Sequence, residues 1–117
     1  MAENTTETPP PTEPAPECIL ELSDVVHQKA RLAIMVALDE AGFADFSYLK
    51  GALSMTDGNL GRHLEVLAKG GLVDIEKSFQ SRRPRTQVRL TEAGKRELSR
   101  EMTVLALFVQ RYQQGSA

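Results

Sequence analysis

The chain contains very little cysteine and histidine and no tryptophan. Its 117 residues include one cysteine and two histidines. A lone cysteine, Cys18, cannot form an intrachain disulfide or a cysteine-rich metal site. Neither His27 nor His63 has a partner at metal-ligand spacing, and zinc needs three or four converging ligands. We therefore expect no metal and no other cofactor. Cys18 is interpreted as an incidental thiol, with a redox- or metal-sensing thiol paired across a dimer as the alternative.

Long apolar runs are also absent. The two longest, residues 32–38 and 104–109, contain seven and six residues, whereas a membrane-spanning helix needs about 20. The N-terminus lacks a basic region followed by an apolar stretch, so no signal peptide is predicted. We expect a cytoplasmic protein with no membrane association.

Catalytic motifs are missing as well. The chain has no phosphate-binding glycine loop, no nucleophile with an obvious neighbouring base and no recognisable pair of carboxylates. These are the arrangements by which catalytic sites are recognised in a sequence. We predict no catalytic residue, and we do not expect an enzyme.

Positive charge is concentrated in one part of the chain. The net charge is −2, but residues 1–21 contain five glutamates and no lysine or arginine, which leaves 14 basic against 11 acidic residues in the remainder. Residues 58–89 contain seven basic and three acidic side chains. A local basic face matters more to a polyanion than the total charge. This part of the chain is therefore the candidate nucleic-acid interface.

The length is sufficient for one domain with a modest core. Residues 1–17 contain all but one of the six prolines, together with threonine and glutamate, and show no apolar periodicity. This composition predicts a disordered tail, either a passive solubilising extension or a recruitment arm. Residues 18–117 are predicted to form the folded domain.

Apolar spacing predicts three helices in the first part of that domain, over residues 24–40, 46–53 and 57–69. The first begins after Ser23 or Asp24 and ends at Gly42, and Thr56 is a suitable N-cap for the third. Because two short helices joined by a tight turn follow the first helix, we predict a helix-turn-helix.

The third helix carries the most informative pattern. Leu60, Leu64 and Leu67 form one inward stripe, and the opposite side includes two glycines, which weaken a helix by roughly 1 kcal/mol each. Such a face suits a backbone that approaches DNA closely while side chains reach base edges. The alternative is an ordinary surface helix with tolerated glycines. The candidate DNA-binding residues here are Thr56, Asp57, Gly58, Asn59, Gly61 and Arg62.

After two glycines the apolar period changes from helical to alternating. Residues 72–79 and 86–90 are predicted strands, with a short extended segment at 43–45. The intervening loop would hold Arg82, Arg83 and Arg85 in solvent, where they could contact a phosphate backbone or a minor groove. The alternative is a solvated charged loop.

A final helix is predicted from Thr91 and Glu92 to about Gln113. Its apolar band is too broad for one neighbour, and the first helix is apolar on every side, so we predict a homodimer formed by both helices. The candidate interface residues are Leu32, Met35, Val36, Leu98, Met102, Leu105, Phe108, Val109 and Tyr112. An effector could bind between the apolar surfaces, but no polar group identifies one.

Three sequence motifs follow one another along the domain. They are Thr56-Asp57-Gly58-Asn59-Leu60-Gly61-Arg62-His63-Leu64, Arg83-Pro84-Arg85-Thr86 and Leu90-Thr91-Glu92-Ala93-Gly94. In this order they resemble the motifs of the small winged helix-turn-helix transcriptional regulators of bacteria and archaea, in the broad ArsR/MarR-like group. The resemblance covers roughly residues 24–110. One departure is Gly61, where the family usually has serine.

The resemblance implies a mainly α fold with a two- to three-stranded β-wing and long N- and C-terminal dimerisation helices. It also implies binding to double-stranded DNA. Our leading hypothesis is a dimeric, sequence-specific regulator of transcription with its recognition helix in the major groove, interpreted as a repressor, with an activator as the alternative. The competing hypothesis is a winged-helix protein-interaction module that binds no specific DNA.

Overall fold

A computed structural model describes residues 28–115. In chain order the elements are α1 Lys29–Ala41, β1 Ala44–Asp45, α2 Phe46–Leu53, α3 Asp57–Lys69, β2 Val73–Gln80, β3 Arg83–Leu90 and α4 Glu92–Gly115. The predicted mainly α class with a three-stranded sheet is confirmed. The predicted tail at 1–17, Cys18, His27 and the predicted helix start at Ser23 or Asp24 lie outside the described residues. The prediction of a helix that already includes Gln28 is wrong, because Gln28 has a non-helical ψ of 133° and α1 begins at Lys29.

The hydrophobic core lies where α1 meets the helix-turn-helix and the base of the sheet. Burial of these side chains is the main force holding the elements together. The most completely buried apolar side chains of this core come from three helices and one strand. They are Ile34, Met35 and Leu38 from α1, Leu49 from α2, Leu60, Leu64 and Leu67 from α3, and Val88 from β3. Leu98 extends this core onto the first turns of α4.

Two residues predicted for the dimer interface are buried within the single chain. Met35 is 0% exposed and Leu98 is 6% exposed, and both belong to the core. Their side chains therefore offer no surface to a second copy, and this part of the interface prediction is wrong. The sequence showed a helix that is apolar on every side, but it did not show that α2, α3 and the sheet cover the Met35 side.

The helix-turn-helix has the predicted bounds. Ser54 ends α2 in a left-handed conformation with φ of 53°, and Thr56 caps α3 by accepting a 3.1 Å hydrogen bond from the Asn59 backbone N–H. Lys50 of α2 forms a 2.9 Å ion pair with Asp57 at the start of α3. The cap and the ion pair fix the direction in which α3 leaves the turn.

The wing is the antiparallel β2–β3 hairpin, with β1 pairing on the other side of β3. Pairing continues to Gln80 and Arg83, so the connecting turn is only Ser81 and Arg82, with φ of 52° and 67°. The prediction of a loop over residues 80–85 is therefore wrong. Pro84 is compatible with β3 because β1 reaches only Gln87 and Val88, which leaves β3 an edge strand at that point.

The base of the wing is held against the start of α4. The Thr91 hydroxyl donates to the Gly71 carbonyl at 2.6 Å and accepts from the Gly94 N–H at 2.9 Å. A Cβ on Gly94 would lie 2.1 Å from the Leu72 carbonyl oxygen, so only glycine allows this approach.

Within residues 28–115, no helix is long and apolar enough to cross a membrane.

Candidate nucleic-acid interface

The helix α3 presents a polar face whose glycines have no packing partner. Leu60, Leu64 and Leu67 are at most 2% exposed, while Gly58 and Arg62 lie on the exposed side. A Cβ placed on Gly58 or Gly61 would meet no atom within 4 Å. The fold therefore gives no internal reason for glycine at either position.

A groove of about 700 Å³ separates α3 from the inner face of the wing. Four of the six predicted helix residues line it, namely Asp57, Gly58, Gly61 and Arg62. Thr56 and Asn59 are exposed but do not line the groove. The structure therefore brings most of the predicted helix site together in one concave surface.

The sequence-based prediction missed the opposite wall of this groove. Ile75, Lys77 and Thr86 line it from the sheet, and Phe46 lines it at the start of α2. The signal was present in the alternation of strand β2, because every second residue of a strand points to the same face. Once the hairpin register is known, Lys77 and Thr86 form a cross-strand pair on that face.

Arg62 also interacts along its own helix. Its Nη2 atom lies 3.5 Å from the Asn59 Oδ1 atom, and both side chains are exposed. At this length the hydrogen bond is weak. The contact places the Arg62 and Asn59 side chains next to each other on the surface of α3.

The three wing arginines have different positions. Arg82 lies in the two-residue turn and Arg83 beside it, and both are exposed. Arg85 lies within β3, where it donates two hydrogen bonds to Asp45 and a third to the Gln80 side chain. The placement of Arg85 at the tip was wrong, because strand pairing continues beyond it. Its partners make it a residue that positions the wing.

The pKa of Asp45 is correspondingly lowered. The hydrogen bond from Arg85 lowers the pKa of this carboxyl from its ordinary value of 3.8, outweighing the opposite effect of partial burial. The positive charge of Arg85 and a hydrogen bond from Gln87 lower this pKa further. The carboxylate is therefore ionised at neutral pH and fully able to hold Arg85.

His63 connects α3 to α1. The Arg31 Nε–H donates to His63 Nδ1 at 3.3 Å. Partial burial, followed by the charges of Arg31 and Arg62, lowers the pKa of His63 from 6.5. This half-buried imidazole is neutral at physiological pH and accepts a hydrogen bond within the domain.

Comparison with known proteins identifies the family. The sequence family described as winged helix DNA-binding domain matches residues 30–109. The chain belongs to this family. Its fold is that of transcriptional regulators rather than of enzymes, and the resemblance inferred from the three motifs is confirmed.

Individual relatives agree with this assignment. A transcriptional regulator homologue from Pyrococcus horikoshii OT3 has 34% sequence identity and a TM-score of 0.75, over 80% of this chain and 92% of that one. An uncharacterized protein of Methanocaldococcus jannaschii is 34% identical over 71 residues, which is 61% of this chain and 77% of the relative. The protein ytfH of Salmonella typhimurium shares the fold, with 20% identity and a TM-score of 0.63, over 77% of this chain and 80% of that one.

Proposed function

We propose that this winged-helix protein is a dimeric, sequence-specific DNA-binding regulator that acts as a repressor. Helix α3 lies in the major groove, and the wing lies on the flanking backbone and minor groove. The observation that carries the proposal is the groove between α3 and the wing, together with two glycines on the α3 side that no internal contact requires.

Helix α3 supplies the contacts that depend on sequence. Gly58 and Gly61 remove the side chains that would hold the helix backbone away from DNA. Arg62 and Asn59 are then close enough to reach base edges, for which arginine with guanine and asparagine with adenine are the preferred bidentate pairs. Thr56 and Asp57 lie at the N-terminus of the helix, where the backbone N–H groups favour contact with phosphate, while the Asp57 carboxylate pairs with Lys50.

The groove fits a DNA backbone between the helix and the wing. Lys77 lines the wing side of this groove, whose lining also includes the carboxylates Asp57 and Glu65. The Lys77 ammonium group is proposed to neutralise a phosphate without reading sequence. Arg82 and Arg83 carry positive charge to the tip of the wing. Recognition of base edges is thus assigned to α3, and contact with the phosphate backbone is assigned to the wing.

Dimerisation is proposed through α1 and α4. Several large apolar side chains of α4 remain exposed in the single chain. Leu32 and Val36 of α1 form, with Met102, part of an apolar groove of about 530 Å³ between α1, α2 and α4. The exposed α4 side chains are Met102 at 37%, Leu107 at 40%, Val109 at 50% and Tyr112 at 73%. Leu105 and Phe108, which are half-buried, complete the proposed surface.

A symmetric dimer binds an inverted repeat whose half-sites lie about 10 bp or a multiple of that apart. A dimer seated across such a site in a promoter excludes polymerase from the same DNA, which is the basis for proposing repression. Transcription in vitro from a promoter carrying the selected site should fall as protein is added. Sedimentation equilibrium should show a dimer at micromolar concentration, and a monomer would contradict the proposed interface.

Paired substitutions test the division of roles. Arg62→Ala should relax the preference at one base pair by about 1–3 kcal/mol. Arg83→Ala should weaken binding to all sequences alike and reduce the salt slope by about 1. Lys95→Ala is the matched control, since Lys95 is an exposed cation on α4 that does not line the groove.

The competing protein-interaction module makes a different prediction. It would show no salt-sensitive binding to random duplex, even at about 50 mM salt. Fluorescence anisotropy of a labelled duplex distinguishes the two functions. Unchanged operator binding by both arginine variants would contradict the proposed residue roles.

A further inference from the structure

The most exposed large apolar side chain among residues 28–115 lies near the tip of the wing. Phe79 is 78% exposed and is the last residue but one of β2. It is directly opposite Pro84 of β3. Phe79 and Pro84 therefore form an exposed apolar pair outside the core of this chain.

The register places this pair on the side of the wing that faces α3. Successive strand residues point to opposite faces, and both Ile75 and Lys77 line the groove beside α3. Phe79 is therefore on the same face, two residues farther out. On β3, Thr86 lines the groove, and Pro84 follows on that face.

The geometry of the hairpin brings the two side chains together. In a hairpin closed by a two-residue turn, the first pair, Gln80 with Arg83, is hydrogen-bonded. The next pair, Phe79 with Pro84, is then of the non-hydrogen-bonded kind, in which side chains lie closest. The pair forms a small apolar patch with Arg82 and Arg83 next to it.

The size and surroundings of the patch favour DNA over a protein as its partner. A stable protein interface buries about 800 Å² on each partner, whereas one aromatic side chain supplies about 150–250 Å². A single apolar side chain is, in contrast, sufficient to wedge against a base step in a minor groove. The neighbouring arginines match the negative potential of that groove.

We propose that Phe79, supported by Pro84, is an apolar DNA contact of the wing, placed in the minor groove beside the backbone that α3 and the wing enclose. This inference rests on the proposed function. Phe79 lies against deoxyribose and partly unstacks one base step, so sites with a flexible pyrimidine–purine step under the wing are preferred.

The test uses the full chain and a duplex selected from a random pool. Phe79→Ser should weaken binding about 5- to 150-fold, the range expected for one lost aromatic contact with a base. The salt slope should not change, because no phosphate contact is removed. Phe79→Leu, which keeps an apolar wedge, should retain most of the affinity. Phe43→Ser is the matched control, since Phe43 is 54% exposed and does not line the groove.

A second measurement reports the wedge itself. With 2-aminopurine at the step under the wing, wild-type protein and Phe79→Leu should raise the fluorescence, and Phe79→Ser should not. Wild-type affinity for Phe79→Ser would overturn the inference while leaving the proposed function intact. Absence of any salt-sensitive DNA binding by the wild-type chain would instead overturn the proposed function, and this inference with it.

Discussion

Arg85 holds Asp45 through two parallel hydrogen bonds, 3.0 Å from Nε to Oδ1 and 3.1 Å from Nη2 to Oδ2. Asp45 ends β1 and immediately precedes α2, so this pair joins the wing to the helix-turn-helix. Each side chain is about one-third exposed. At that exposure an ion pair adds little to stability, but its bidentate geometry fixes an orientation.

The first prediction concerns the ionisation of Asp45. Arg85→Gln should raise the pKa of the Asp45 carboxyl back toward 3.8, because the hydrogen bond from Arg85 is the main cause of its lowering. A lowered carboxyl pKa gives stability that is present above 3.8 and is lost as pH falls through the folded-state value. NMR titration of the side-chain carboxyl carbon measures the change. An identical titration curve in the variant would contradict the pairing.

The second prediction concerns His63 and acid. Because burial and two arginines lower the pKa of His63 from 6.5, folding favours the neutral imidazole. The contribution of neutral His63 to the free energy of unfolding is therefore fully present above pH 6.5. It falls as the pH drops from 6.5 toward the pKa of His63 in the folded state. His63→Gln keeps an acceptor for Arg31 but cannot titrate. Urea unfolding at pH 7 and pH 5 should show a larger loss in the wild type than in the variant; equal losses would rule the effect out.

The third prediction concerns the strained wing turn. Ser81 and Arg82 both have positive φ, a conformation that favours asparagine and glycine and costs other residues roughly 1–2 kcal/mol. Arg82→Gly should raise the melting temperature yet weaken DNA binding and reduce its salt slope. Ser81→Gly is the control that relieves strain without removing a charge, so its DNA binding should match the wild type. An unchanged salt slope in Arg82→Gly would show that Arg82 makes no contact with the DNA phosphates.

The fourth prediction separates stability from function in α3. Gly61→Ala should stabilise the fold by about 1 kcal/mol, because a Cβ there meets no atom within 4 Å. It should also weaken operator binding, because the added methyl group lies between the helix and DNA. Gly94→Ala provides the contrast, since its Cβ would collide with the Leu72 carbonyl and destabilise the fold. Thermal melts measure the change in stability, and fluorescence anisotropy measures the change in operator affinity. An unaltered operator affinity for Gly61→Ala would contradict the close approach of α3 to DNA.

Local signals were sufficient for the helix-turn-helix. The i, i+4, i+7 spacing of Leu60, Leu64 and Leu67 predicted the inward face of α3, and the side chain of Thr56 predicted its first residue. Each of these signals involves only residues that lie close together in the sequence. The bounds of α2 and α3 followed from the sequence for this reason.

Contacts between distant residues were not predictable in the same way. Arg85 and Asp45 are 40 positions apart, and no local pattern indicates that they pair. The two-residue turn lacks the usual asparagine and glycine signal, so the second strand was predicted too short and Arg85 was assigned to the tip. The wall of the groove formed by Lys77 and Thr86 was missed because it depends on that same hairpin register.

The central claim is that this chain recognises a particular DNA sequence, and one affinity ratio tests it most directly. Duplexes are selected from a random pool by the wild-type protein, and the selected and random duplexes are compared by anisotropy at about 0.15 M salt. We expect the selected duplex to contain an inverted repeat and to bind at least about 10³-fold more tightly than random DNA. A ratio near one would contradict the account.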